Sequence, residues 1–94
     1  RILAEEGFVS VYAVVETTTG TILAGPHIQA LGVAEDYSVF EEILPDLFEA
    51  LSAVLDTGKA DAYSPHQVLR RTLGRWIGRR LRRRPMIVPV VIEA

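Results

Sequence analysis

The stretch Arg79–Ala94, RRLRRRPMIVPVVIEA, decides how this chain is read, because an arginine-laden segment meets an apolar run across a single proline. Pro85 cannot continue a helix, and it pushes Arg84 out of the right-handed helical region. A helix arriving from upstream must therefore close there, and Met86 to Ile92 must run extended as a strand. Pro89 has no N–H to give to a ladder, which places that strand at a sheet edge, beside the first strand of the chain.

Working outward, Gly7 to Glu16 (GFVSVYAVVE) is dense in Val, Tyr and Phe and mostly apolar on both alternating faces. That pattern predicts a central strand. The polar stretch Glu16-Thr17-Thr18-Thr19-Gly20 ends in a residue free to take positive φ, so Thr21 to Ala24 should return as an antiparallel partner. Gly25-Pro26 then breaks or bulges the strand, and His27 to Val33 continues it at an edge.

Two helices fill the middle. Ser38-Val39-Phe40-Glu41 fits the S-x-x-E capping box, and the helix it opens should reach about Asp56, with a kink at Pro45. Phe40, Ile43, Leu44, Leu47, Leu51, Val54 and Leu55 form one apolar stripe, opposite Glu41, Glu42, Asp46 and Glu49. Thr57-Gly58-Lys59 supplies the stop. Ser64-Pro65-His66-Gln67 is a second capping box, opening a helix from Pro65 to about Arg83 with a stripe of Leu69, Thr72, Leu73, Trp76 and Ile77. Arg71, Arg75, Arg79 and Arg82, spaced 4, 4 and 3, form a ridge on its other side. The expected fold is a two-layer α/β (α+β) domain: a three-stranded sheet with two helices on one face, in the order strand-strand-helix-helix-strand.

Ninety-four residues make a single domain, 1–94, with one core. The chain begins at Arg1 and reads as part of a longer protein. It has no cysteine, hence no disulfide framework and no thiolate metal site, which suits a cytoplasmic protein. No apolar run approaches the roughly 20 residues of a bilayer span, so no membrane partner is expected. The net charge of −2 conceals a segregation: residues 1–61 hold two cations against eleven acids, and residues 62–94 hold eight arginines against Glu93. Such polarity points to an anionic partner for the basic part, or to an acidic surface that it neutralises.

Few residues offer chemistry. His27 and His66 stand far apart with no Cys or motif-spaced carboxylate beside them, so neither a metal site nor a catalytic residue is expected. Glu41 and Glu42 occupy a helix's first turn, where carboxylates are ordinary partners of the helix dipole. Gly74-x-x-x-Gly78 sits among arginines and reads as a site of close packing in water rather than in a membrane. Trp76 lies on the core stripe. The arginines are different, because Arg79, Arg80, Arg82, Arg83 and Arg84 exceed what a helix C-terminus needs. Two readings stay open for them: contact with a polyanion, or pairing with the acids of the first helix. For the polyanion reading the candidates are Arg71, Arg75, Arg79, Arg82, Arg83 and Arg84.

Read together, RRRPMIVPVVIEA, the preceding RRTLGRWIGRR and the early TGTILAGPHI resemble the C-terminal domain of bacterial ribonuclease J, with Arg83-Arg84-Pro85-Met86-Ile87 and Pro89 as the most specific element. The likeness covers nearly the whole chain. One departure is Ala30-Leu31-Gly32-Val33, where the family commonly has S-R-G-F. The resemblance implies a cytoplasmic RNA-processing enzyme with 5′–3′ exonuclease and endonuclease activity, whose zinc-dependent metallo-β-lactamase and β-CASP regions lie upstream of Arg1. It implies for this part no catalytic residues, no metal and no cofactor, but a role in homodimer or higher assembly and in full activity, with guidance of single-stranded RNA as a further candidate role. The alternative is a stand-alone small RNA-binding or structural dimerisation module.

Overall fold

A computed structural model describes residues 6–57 and 63–94. Strand β1 (Phe8–Glu16) and strand β2 (Thr21–Leu31) form a hairpin, followed by a 3₁₀ helix (Tyr37–Glu42), helix α1 (Leu44–Asp56), helix α2 (Tyr63–Arg80) and strand β3 (Met86–Glu93). The sheet order is β2-β1-β3, with β2 antiparallel and β3 parallel to β1. A parallel neighbour needs a long crossover, and the two helices provide it. This is the expected two-layer α/β architecture, with β1 central and β3 at an edge.

The core follows from period-2 alternation in β1 and four-residue spacing in the helices. Val9, Val11, Ala13 and Val15 are buried beneath Leu47, Leu51 and Leu55 of α1 and Leu69, Leu73 and Ile77 of α2. Val33, Phe40 and Ile43 close the core near the 3₁₀ helix, where Phe40 meets Trp76 at a ring separation of 5.5 Å. The even-numbered side of β1 (Phe8, Ser10, Tyr12, Val14, Glu16) carries no helix and faces outward.

Hydrogen-bond parity explains Pro89. The Met86 N–H donates to the Gly7 carbonyl at 3.1 Å and the Ala94 N–H to the Val15 carbonyl at 2.9 Å, so even-numbered residues of β3 address β1. Odd-numbered ones turn their N–H away from the sheet. Pro89 therefore lacks a donor only where the ladder has no use for one. In the hairpin, Gly20 at φ 71° donates its N–H to the Glu16 carbonyl at 2.9 Å. At Gly25 (φ 86°) a Cβ would stand 2.7 Å from the Tyr12 carbonyl oxygen, so only glycine fits. The strand does not break there. It continues to Leu31 through register shifts opposite Tyr12–Val15, and Val33 lies beyond it.

Several expected boundaries are corrected. Ser38 does not cap a helix: Asp36 does, its carboxylate accepting from the Ser38 N–H at 3.0 Å and the Ser38 hydroxyl at 2.8 Å. The Ser38 hydroxyl bond, then the backbone bond, hold the Asp36 carboxyl below its ordinary 3.8. Pro45 does not kink a helix that is already running; it sits in the first turn of α1, where a missing N–H is harmless, and the turn before it tightens to 3₁₀. Ser64 lies inside α2, which already includes Tyr63. The expected stop at Gly58-Lys59 falls outside the described residues. At its other end α2 stops at Arg80, not Arg83. The Leu81 N–H still reaches the Ile77 carbonyl at 2.9 Å, and Arg82 then turns left-handed at φ 58°.

The core assignment has a direct test. Leu73→Ala, at a position fully shielded from water, should lower unfolding stability in urea by about 2–5 kcal/mol, whereas Phe48→Ala, at a side chain 48% exposed, should cost well under half as much.

Candidate functional site

The end of α2 and the start of β3 meet at the Pro85 corner, and the arginines gather there. Arg75 and Arg79 project from α2, while Arg82, Arg83 and Arg84 follow on the connecting segment. These five line an open trough of about 660 Å³, floored by Gly74 and Gly78 and walled by Pro85 and Ile87. A second depression of about 540 Å³ shares Pro85 and Ile87 and runs on along β3 to His66 and Arg70. The corner is pinned from the residues just before β1: the Arg84 N–H donates to the Glu6 carboxylate, next to the Met86–Gly7 bond.

Two consequences follow for the arginines named from sequence. Arg71 is exposed on α2, one turn before Arg75, and lines neither depression. Arg82 leaves the helical ridge because of its left-handed turn, yet the same turn delivers it into the trough. Arg70 is absent from the sequence-based set, although positions 70, 74 and 78 share one i, i+4 row and Gly74-x-x-x-Gly78 marks the floor of the groove.

Among the described residues, side-chain pairing of these arginines with the acidic half is limited to one residue. Arg80 makes a fork on Glu42, Nε to Oε1 and Nη2 to Oε2, each at 3.1 Å, which raises the already high pKa of the guanidinium. Among the described residues this is the single arginine of the run whose side chain pairs with a carboxylate. The guanidinium groups of Arg75, Arg79, Arg82, Arg83 and Arg84 have none among the described residues, although the Arg84 backbone N–H binds the Glu6 carboxylate. Five unpaired guanidinium groups around one concavity repel one another, and an anion with several oxygens relieves that repulsion through bidentate hydrogen bonds.

The glycine floor points the same way. Gly74 lets β3 close on the helix, since a Cβ there would stand 3.3 Å from Ile87 Cδ1. At Gly78 a Cβ would meet nothing within 4 Å. A solvent-facing glycine in a helix costs about 1 kcal/mol relative to alanine, and no packing in this domain repays it. Backbone left bare beside a trough of arginines suits close approach by a ligand.

Among the described residues, no three His, Cys, Asp or Glu side chains cluster so as to hold a metal ion, and no helix is long and apolar enough to cross a membrane. The chain as a whole, residues 1–94, matches the family model described as the Ribonuclease J C-terminal domain. It is 39% identical over 93 residues to a Mycobacterium tuberculosis protein named Ribonuclease J, a match covering 99% of this chain and 17% of that protein. A Mycolicibacterium smegmatis protein of the same name is 37% identical over 93 residues, again covering 99% and 17%. A Corynebacterium glutamicum counterpart is 34% identical over 91 residues, covering 96% and 13%. The chain thus spans less than a fifth of the length of these relatives.

Replacing Gly78 separates stability from binding. Gly78→Ala should raise the unfolding free energy by about 0.5–1 kcal/mol in urea titrations, and bulkier Gly78→Gln should weaken binding of a polyanion such as heparin in the trough. An alanine variant that is less stable would show that the glycine serves the fold.

Proposed function

The chain belongs to the Ribonuclease J C-terminal domain family, and we propose that it serves a cytoplasmic RNA-processing ribonuclease as its non-catalytic C-terminal domain. In this reading it supports assembly of the parent enzyme, and its arginine trough guides single-stranded RNA. The observation that carries the reading is the set of five arginines gathered around Gly78 whose guanidinium groups have no carboxylate partner among the described residues. Phosphates spaced along a strand match such a row, and because the trough holds no aromatic side chain, contacts are with the backbone and sequence preference is weak. Zinc belongs, in this reading, to the parent's catalytic region. The first reading left open for the arginines, polyanion contact, thus fits the trough, and the second fits Arg80 alone.

Catalysis is tested first. The 94-residue chain, freed of contaminating nucleases, should leave single-stranded RNA uncut with or without added zinc or manganese. Cleavage abolished by a point change within this chain would overturn the assignment.

RNA guidance is tested in the parent enzyme. Replacing both Arg75 and Arg79 by Gln keeps helix propensity nearly unchanged. Binding to a long single-stranded RNA should weaken, and the dependence of log K on log salt should flatten by about 0.7 for each phosphate that is no longer neutralised. An unchanged affinity and slope with an altered oligomeric state would move the trough from RNA to assembly.

A further inference from the structure

The rim between β2 and the helix layer carries the opposite charge from the trough. Two depressions run along it, of about 280 and 520 Å³, and they share Pro26, Glu41 and Leu44, so together they form one groove. Tyr37 stands toward one end of it, and Pro45 and Phe48 toward the other. Both end aromatics meet water: Tyr37 is 43% exposed and Phe48 48%. Tyr37 is held in place, its hydroxyl accepting the Gly32 N–H at 2.8 Å and its ring lying against Phe40 with centres 6.2 Å apart. Exposed aromatic surface at both ends of a concavity marks a contact for another molecule rather than scattered exposure. Acids follow the same rim. Thr21 to Thr57 include Glu35, Asp36, Glu41, Glu42, Asp46, Glu49 and Asp56, and no Lys or Arg. Glu42 is taken by Arg80. Glu41 lines both depressions, while Glu49 follows Pro45 by one helical turn and Asp56 follows Phe48 by two, so both continue rows that wall the groove.

We infer that this groove docks a short, extended segment of a partner protein in which Lys or Arg stand among proline and aliphatic side chains. Charge complementarity selects the cations, and the aromatic ends select the apolar side chains. An extended occupant fits the site. No strand lies beyond β2, and Pro26 offers no N–H midway along that edge, so side chains in the groove carry the contact rather than a continuous ladder. Proline-bearing segments are already extended in solution and dock on aromatic-lined grooves in this way. RNA is repelled by the same carboxylates. A second copy fits poorly, since the one basic run of the chain, Arg79–Arg84, is held at the junction of α2 and β3. Residues preceding β1 enter beside Met86, whereas Phe48 lies near Gly25, next to Ala24, which pairs with Val14 six residues beyond Phe8, or roughly 20 Å further along the sheet. The Phe48 end of the groove thus lies away from that junction, where a separate protein reaches it.

Selection from a displayed library of random dodecapeptides on the 94-residue chain tests this, followed by solution binding of the enriched peptides. Those peptides should carry Lys or Arg among proline and aliphatic residues. Phe48→Ala combined with Glu41→Lys, both at exposed sites, should weaken their binding on the order of 30-fold while leaving circular dichroism and RNA affinity unchanged. Arg75→Gln with Arg79→Gln should leave peptide binding intact, which keeps this groove distinguishable from the trough. A library that yields no basic peptides overturns the inference, as does a basic peptide whose affinity is the same in the groove variant. Acidic peptides released by the arginine variant would belong to the trough and leave the groove without its partner. A groove variant that alters the oligomeric state of the chain gives the groove to a second copy. Peptides that bind the 94-residue chain but not the parent enzyme give it to another part of the parent, and either result overturns a separate protein as the occupant.

Discussion

The constraint on which the rest depends is the conformational restriction at Pro85. Arg84 is barred from the helical region, and the ring of Pro85 bars a further helical turn. α2 must end early enough for the chain to turn through Leu81–Arg84 and enter β3 beside β1. The turn is made by Arg82 in the left-handed region, an unusual position for a residue with a Cβ and one commonly filled by glycine. An arginine there gives up some backbone comfort and gains a place in the trough. Fold and site thus share one cause: the segment that must leave the helix also carries the cations.

Charge segregation takes its form from the same corner. The acids of the 3₁₀ helix and α1 lie on one side of the helix layer, and the arginines of α2 lie toward β3. They touch through Arg80 and Glu42, a pair about half exposed on each side and so of modest worth to stability. Folding therefore does not consume the arginines. Their mutual repulsion is eased by the C-terminal end of the α2 dipole, whose reach is about one turn. Arg75 lies further back on the helix, so the dipole does not account for the whole cluster.

Most of the fold was legible because its signals are redundant. β1 declares itself by β-branched density on both faces, the helices by four-residue leucine spacing, and β3 by its two prolines. The misreadings share a physical origin in competing caps. Ser38 and Asp36 are both good N-cap residues, and the sequence pattern does not show that the Asp36 carboxylate reaches the Ser38 amide first. Pro45 satisfies equally well the rule for a kink and the rule for a first helical turn, and what decides is the backbone before it. The site was legible as a composition but not as a place. A helical ridge of Arg71, Arg75, Arg79 and Arg82 follows from ideal periodicity, and one left-handed residue suffices to take Arg82 off that ridge and set it with Arg83 and Arg84 at the trough.

The two faces of the domain have opposite chemistry because they answer to different layers. The trough belongs to the helix layer and the β3 edge, while the exposed Phe8, Met86, Val90 and Ile92 belong to the far side of the sheet. Pro89 matters to both. By removing an N–H from the outer edge of β3 it discourages a further strand from joining there, which keeps the wall of the trough open and leaves the sheet's flat side as the apolar surface still to be covered.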